Sequence, residues 1–247
     1  MQKFLTILLL FCCTYLGAQE SIFLRDNLKR AIKGDYIVTA HNKNFTLLHI
    51  YDKKDALITI EEITVPTQRM QGRFPSWKEW IRQRAPYNTS WIMYTVNLNT
   101  GQMQEYYSLT KNAWFDMSQA DSFLSTLLNL RLELVPMKDR RRIGLPPIIG
   151  ATDRRPYWQP RLVIDGQEVG GVIFDAWQTK WPKDNSELSG KSIEVYVPHE
   201  NDKYPSYFPY WLQISGLISN AKVRIIDSGT GMVSPAPPLL SQRKNIN

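Results

Sequence analysis

Residues 90–109 read SWIMYTVNLNTGQMQEYYSL, and this stretch decides the fold class. Two runs, 90–98 and 102–109, flank Asn99-Thr100-Gly101, whose residue types favour a tight turn. Side chains in the first run alternate between two sets, as they do on the two faces of a strand. The more apolar set comprises Ile92, Tyr94, Val96 and Leu98. The stretch therefore predicts an antiparallel hairpin with one face packed on a core.

Runs rich in β-branched and aromatic residues predict further strands on both sides of this hairpin. They are 36–40, 45–51, 56–65, 130–135, 161–164, 167–174, 192–197, 210–214 and 223–226. The pair 161–164 and 167–174 flanks Asp165-Gly166, the typical signal of a two-residue type I′ hairpin turn. The strands follow one another without regular helical crossovers, which indicates antiparallel pairing.

Three segments predict helices. Residues 21–33 carry Leu24, Leu28, Ala31 and Ile32 on one face, 75–84 form a short helix with two tryptophans, and Ser118 begins a third helix. The predicted fold class is mainly antiparallel β with flanking α-helices (α+β), with a curved half-barrel sheet covered by helices as one form of it. That architecture is similar to the periplasmic lipoprotein-carrier family. The resemblance is at the level of the fold and carries over no binding residue.

The first 18 residues have the three parts of a secretory signal peptide: Lys3, the apolar run 4–11 and the small residues at 17–18. Export is therefore predicted, to the periplasm or the extracellular space. The absence of cysteine after residue 18 favours a bacterial periplasm. The apolar run is shorter than the roughly 20 residues that cross a bilayer, and no transmembrane span is predicted in the mature chain.

The expected domain organisation is a single β-rich domain over residues 19–234. A charged, proline-bearing stretch at 137–147 is the candidate sub-boundary within it. The tail from 235 to 247 begins Pro-Ala-Pro-Pro and is predicted to be disordered.

Composition excludes several kinds of chemistry. The chain has three histidines, and its two cysteines lie within the predicted signal peptide, so no metal site and no cofactor are predicted. The formal net charge of +7 suits an anionic surface, but no nucleic-acid recognition motif accompanies it, and no nucleic-acid partner is expected.

One four-residue motif resembles the catalytic pattern of aspartic proteases: Asp227-Ser228-Gly229-Thr230 after an apolar run. Those enzymes need two carboxylates that share a proton, and the sequence has no second Asp-Ser/Thr-Gly. The competing interpretation, a strand that enters a glycine-containing turn, is preferred, and no catalytic residue is assigned.

Aromatic residues supply the candidate ligand site, because aromatic side chains make up 12% of the chain. They are Trp91, Trp177, Trp181, Tyr207, Tyr210 and Trp211. A second set forms a candidate basic surface for anionic lipid headgroups. It comprises Lys138, Arg140, Arg141, Arg142, Arg154 and Arg155. The competing interpretations are rings that seal the edge of the core and a solvated loop.

Three functions follow from these patterns. The leading hypothesis is an exported, non-enzymatic envelope protein that binds or carries an apolar ligand, such as a lipid or an acylated molecule. The alternative is a surface module that recognises a glycan or a protein through the same aromatic residues. The third is an aspartic-type hydrolase that acts through Asp227.

Overall fold

The computed structural model describes residues 20–70, 72–115, 123–200, 203–216 and 220–239. The predicted signal peptide at 1–18 and the tail beyond 239 lie outside these residues, as does the predicted helix start at Ser118. Among the helices within the described ranges, none combines the length and the apolar character needed to cross a membrane.

Twelve strands of the described chain form one antiparallel sheet, and two more pair separately as a hairpin. The strands are β1 (Ser21–Ile22), β2 (Tyr36–His41), β3 (Asn44–Lys54), β4 (Leu57–Pro66), β5 (Ser90–Asn97), β6 (Gln102–Ser108), β7 (Ala113–Phe115), β8 (Leu132–Leu134), β9 (Leu162–Ile164), β10 (Gln167–Val169), β11 (Phe174–Lys180), β12 (Ser192–Pro198), β13 (Trp211–Ser215) and β14 (Asn220–Gly229). Four short helices accompany them. They are α1 (Leu24–Leu28), α2 (Thr67–Met70), α3 (Trp77–Arg82) and α4 (Phe123–Asn129).

The order of strands in the large sheet is β1-β8-β11-β12-β13-β14-β2-β3-β4-β5-β6-β7. The two halves of the chain therefore meet at two pairs, β8–β11 and β14–β2. In the second pair Gly229 lies opposite Tyr36 and Asp227 opposite Val38. A register shift between Ile225 and Asp227 marks an irregularity on β14. The structure confirms the predicted β-rich class: a large, unclosed, mostly antiparallel sheet with few helices.

Helix α1 is shorter than the helix predicted at 21–33. The side chain of Lys53 donates to the carbonyls of Lys29 and Ala31, and the Asp35 carboxylate accepts from the Ile32 amide. These side chains take up backbone groups that a longer helix would pair internally. The chain consequently leaves the helix after Leu28. Leu24, Leu28 and Ala31 of the predicted apolar face are buried, whereas Ile32 is 60% exposed, which corrects the prediction for that residue.

The hairpin β5–β6 is present, but both faces of β5 are covered, which corrects the prediction of one core-facing side. Met93, from the set predicted to face outward, is completely buried. It packs with Tyr107 against Ala236 and Leu239, from the chain that follows β14. Residues 235–239 of the tail that was predicted to be disordered lie within the described residues, and Ala236 and Leu239 there are buried on the sheet.

The second hairpin is shorter than predicted because its downstream arm ends at Val169. Gly170 and Gly171 follow, and the positive φ of 74° at Gly171 interrupts extended backbone. The chain then begins the separate strand β11, which pairs with β12 and β8 in the large sheet. The turn itself is as predicted, with positive φ at both Asp165 and Gly166.

Candidate functional site

An open cavity of about 240 Å³ lies where the short hairpin β9–β10, strand β14 and the start of α3 come together. We call it the acidic cavity. Its walls are largely aromatic and apolar, and two aspartates line it. The lining residues are Tyr36, Phe45, Met70, Phe74, Pro75, Ser76, Trp77, Asp165, Gly166 and Asp227.

Asp165 is held at the cavity by the geometry of its turn. The residue adopts φ 48° at the first central position of the type I′ turn, and its amide donates to the Ser228 carbonyl at 2.8 Å. Its Oδ1 accepts from the Tyr36 hydroxyl and from Lys78 Nζ, each at 2.8 Å. Two donors on different elements therefore fix one carboxylate oxygen, while the side chain is still 48% exposed.

Asp227 is held more deeply, with only 6% of the residue exposed. Its Oδ1 accepts from the Gly166 amide at 3.0 Å and from the Ser228 amide at 2.9 Å. The first bond runs from the hairpin turn to β14, so Asp227 joins the two elements that carry the two aspartates. Asp227, Ser228 and Gly229 are thus the last three residues of β14, and Thr230 follows the end of the strand.

The strand behind the cavity is fixed by a buried hydrogen-bond network. Ser228 donates to the Val163 carbonyl at 2.7 Å and contacts the Tyr210 hydroxyl at 3.0 Å. The Tyr207 hydroxyl donates to the Tyr36 carbonyl at 2.8 Å. These contacts hold Asp227 and Tyr36 in place from the side away from the cavity.

The pKa values of the two carboxyl groups are shifted in opposite directions from the ordinary value of an aspartate. Burial raises the pKa of Asp227, and the negative charge of Asp165 adds to that rise. Partial burial opposes ionisation of Asp165, but the hydrogen bonds from Lys78 and Tyr36 outweigh it and lower the pKa of this carboxyl. Burial also raises the pKa of Tyr36, so its hydroxyl is a donor. Carboxyl groups with diverging pKa values can divide acid and base roles.

A second cavity of about 490 Å³ adjoins the acidic cavity and shares Ser76 with it. Its other lining residues are polar in the majority: Lys78, Glu79, Arg82, Gly231, Val233, Ser234 and Pro235. The Lys78 side chain connects the two, because it borders the second cavity and bonds Asp165 in the first. Together they offer space for a ligand longer than one ring.

None of the six aromatic residues predicted from the sequence lines the acidic cavity. Trp177, Trp181, Tyr207 and Tyr210 are buried in the main core. Trp181 stacks on Phe123, with ring centroids 5.4 Å apart. Each ring consequently has a packing or positioning role in the fold.

The remaining two predicted rings are half-buried. The Trp91 indole donates to Glu61 Oε1 at 2.8 Å. Trp211 packs against Trp158, with ring centroids 4.9 Å apart. Neither ring borders the acidic cavity.

Most of the predicted basic surface is already paired. Arg140 bonds Asp175 at 3.0 Å, Arg141 bonds Glu194, and Arg142 and Arg155 both contact Asp153. Lys138 and Arg154 are exposed, with no ion pair to another described residue. The predicted basic surface is therefore an ordered segment whose charge is partly neutralised, and Lys138 and Arg154 are its two cationic side chains outside these ion pairs.

Sequence reasoning found Asp227 but missed its partner. The second carboxylate is Asp165, which the sequence marks only as half of a hairpin turn. The available signal in the sequence was the Asp165-Gly166 pair itself. This pair indicates a type I′ turn, which requires positive φ at Asp165 and so fixes the backbone that carries its side chain. Trp77 was recognised as part of a short helix but not as part of a site. Within the described residues no three His, Cys, Asp or Glu side chains come together as metal ligands would.

Comparison with known proteins places the fold. Residues 46–170 match the family model described as CT021 protein. The 2.0 Å structure of the hypothetical protein CT021 from Chlamydia trachomatis superposes with a TM-score of 0.62 at 20% sequence identity. The match covers 89% of this chain and 98% of that one. No curated protein shows significant similarity to the chain.

Proposed function

The chain belongs to the CT021 protein family, and we propose that it binds a hydroxyl-rich ligand, one ring of a glycan, in the acidic cavity. The observation that supports this most is the combination of aromatic walls with two fixed carboxylates. Small-molecule sites are typically apolar clefts with a few convergent polar groups. This places the proposal in the class of glycan-recognition modules expected as an alternative from the sequence, with different residues.

The polar groups of the cavity, Asp165 and Asp227 with the neighbouring Lys78, suit a ligand with hydroxyl groups better than a cationic ligand. An ionised carboxylate only accepts hydrogen bonds, and hydroxyl donors satisfy it. The ammonium of Lys78 already bonds Asp165 and offsets its negative charge. The positive charge of that ammonium would repel a cationic ligand in the cavity, whereas it would not repel a neutral polyol.

The walls suit the flat apolar face of a sugar ring. Trp77 is half-buried and makes edge contacts with Phe45 and Trp80, at centroid distances of 5.6 and 5.7 Å. Its orientation is thus fixed before a ligand arrives, which reduces the entropy lost on binding. A volume of about 240 Å³ is below the range of about 300–1,000 Å³ usual for drug-sized ligands. One ring fits this scale better than an acyl chain.

Titration calorimetry tests the proposal with glucose, galactose, N-acetylglucosamine and their tetramers as probes. We expect a tetramer to bind, and Trp77→Ala to weaken its affinity about fivefold, since an aromatic contact is worth about 1 kcal/mol. Phe115→Ala removes another partly exposed ring, on β7, and is the matched control. Heats at background for all probes, or equal affinity in the Trp77 variant, would refute the proposal.

A hydrolase is the second candidate, and the aspartate pair favours it. Asp227, with its raised pKa, is the group suited to give a proton, and Asp165, with its lowered pKa, is suited to remain ionised. The measurement is release of reducing ends from the same tetramers. Release that Asp227→Asn abolishes while binding persists would support hydrolysis; binding without release in the unaltered chain would leave a recognition module.

The apolar-ligand carrier ranks below both, as a proposal from the sequence. Four of its six aromatic candidates are core residues, which leaves them no free surface for a ligand. We infer the curved half-barrel from the core, where β4 and β5 contribute to the same cluster as β11, β12 and the helices α1 and α4. Export, with a bacterial periplasm as the favoured destination, remains a proposal that rests on residues 1–18.

A further inference from the structure

Residues 143–150, Ile-Gly-Leu-Pro-Pro-Ile-Ile-Gly, form an exposed apolar loop, which we call the apolar loop. Leu145 and Ile148 expose 89% and 86% of their surface, and Ile149 is fully exposed. Contiguous apolar surface of this kind is uncommon on soluble proteins and marks a site of interaction. The acidic cavity does not involve this loop.

The loop is presented by an ordered base. A backbone bridge pairs Arg142 with Tyr157, and the Ile143 amide donates to the Pro156 carbonyl at 2.9 Å. Arg155 donates to the Gly144 carbonyl at 2.8 Å. Two consecutive prolines at 146 and 147 restrict the tip further. Little conformational entropy is therefore lost when the loop enters a partner.

Charge around the loop identifies the partner. Between residues 138 and 155 the chain carries six Lys or Arg and two Asp, and none of these charges lies within 143–152. Arg140 and Arg141 are offset by Asp175 and Glu194 from other strands, so the base keeps a net positive charge. Lys138 and Arg154 are the exposed cations. The apolar loop is suited to the acyl boundary of a bilayer, and the positively charged residues on either side of it are suited to negative headgroups. This combination matches an anionic bilayer.

We propose that the apolar loop docks the protein on an anionic lipid bilayer, with Leu145, Ile148 and Ile149 in the acyl boundary and Lys138 and Arg154 at the headgroups. Apolar contact and charge then act together, which is the combination that stable peripheral binding needs. The ring-binding cavity and this surface are separate, so each proposal can fail without the other.

Vesicle co-sedimentation tests the surface with the processed protein, its N-terminus established by mass spectrometry. The probes are vesicles of phosphatidylcholine alone and of phosphatidylcholine with phosphatidylglycerol. We expect binding to the anionic vesicles. The variant L145S/I148S/I149S should lose affinity for them by about tenfold or more, since each serine would bury less apolar surface in the bilayer than the residue it replaces. Ile32→Ser, at an apolar position outside the loop that is 60% exposed, should bind unchanged.

A second pair of variants tests the charges. Lys138→Gln with Arg154→Gln should weaken binding to anionic vesicles while leaving binding to phosphatidylcholine as it was. Equal binding by the triple variant and the unaltered protein would overturn the proposal. So would a change of sedimentation coefficient confined to the unaltered protein without vesicles, because the loop would then join two copies of the chain.

Discussion

Gly229 lies where the groups of the acidic cavity approach the backbone most closely. A Cβ atom built on it would lie 2.6 Å from both Asp165 Oδ1 and Tyr36 Cε1. Real Cβ atoms do not approach other atoms so closely, so a side chain here would displace the Tyr36–Asp165 hydrogen bond. The glycine of the Asp-Ser-Gly motif is therefore explained by packing beneath the cavity, independently of any catalytic role.

Gly229→Ala should lower the free energy of unfolding by about 1–3 kcal/mol, the usual cost of overpacking a buried position. It should also weaken ligand binding, because Asp165 and Tyr36 move. Urea denaturation measures the first effect. Gly170→Ala is the matched control, since its Cβ would meet no atom within 4 Å and its φ is not in the left-handed region. Equal losses in the two variants would contradict this explanation.

The buried carboxyl of Asp227 makes a pH prediction. Its folded pKa lies above the ordinary value of 3.8, so the folded protein holds this proton more tightly than the unfolded chain does. Stability from this group is therefore greatest at low pH and falls as pH rises from about 4 through the raised pKa.

Asp227→Asn removes that titration while keeping an oxygen to accept from Gly166 and Ser228. We expect the stability of the variant relative to the unaltered protein to increase with pH across this window, by at most about 1.4 kcal/mol per pH unit. Denaturation curves at half-unit steps measure it. Asp52→Asn is the control for removing a surface charge. A difference that stays constant with pH would show that Asp227 ionises normally.

The chain after β14 acts as an additional element of the fold. A buried pair, His49 Nδ1 and Glu61 Oε2 at 2.8 Å, lies beneath it. His49 also bonds the Met232 carbonyl at 3.2 Å, and Glu61 Oε1 accepts from the Ser234 hydroxyl at 2.6 Å. Side chains on β3 and β4 thus bind this segment by its polar groups, while Leu239 adds apolar contact.

Ser234→Ala should release this segment. It removes one of the two donors to Glu61 Oε1, which keeps the Trp91 indole, and the acceptor of the Ala236 amide, at a cost of about 0.5–1.5 kcal/mol for a lost hydrogen bond. Limited proteolysis should then cut faster after Met232. Ser186→Ala removes an exposed hydroxyl that bonds Asp184 and should leave the cleavage rate unchanged. Identical rates for both would mean that the apolar contacts alone hold the segment.

Elements with local signals were predictable and those that depend on distant partners were not. The Asp165-Gly166 turn and the β5–β6 hairpin follow from residue types within a few positions. The burial of Met93 could not be predicted in this way, because its cover comes from Leu239, far along the chain. The acidic cavity has the same difficulty, since Trp77, Asp165 and Asp227 come from three separate segments.

At the scale of the whole molecule, the sheet interleaves the two halves of the chain. Strand β8 pairs with β1 on one side and with β11 on the other, and β2 pairs with β14, so strands from both sides of 137–147 are neighbours in the sheet. A boundary between independent domains would place few pairings across it. This topology favours the single domain expected from the sequence over the candidate sub-boundary.

The protein should therefore unfold in one transition, and a fragment of residues 20–136 should not fold alone. Without β11–β14 it would leave the β2 edge open and separate β1–β8 from the other strands. A full chain cut within the exposed loop 143–150 is the control, because its pieces keep every strand pairing and should stay associated. Calorimetry and sedimentation velocity measure both forms. Two separate thermal transitions, or dissociation of the two pieces after the cut, would instead establish two domains. Cleavage would then also destroy the acidic cavity, because Trp77 lies in one piece and both aspartates lie in the other.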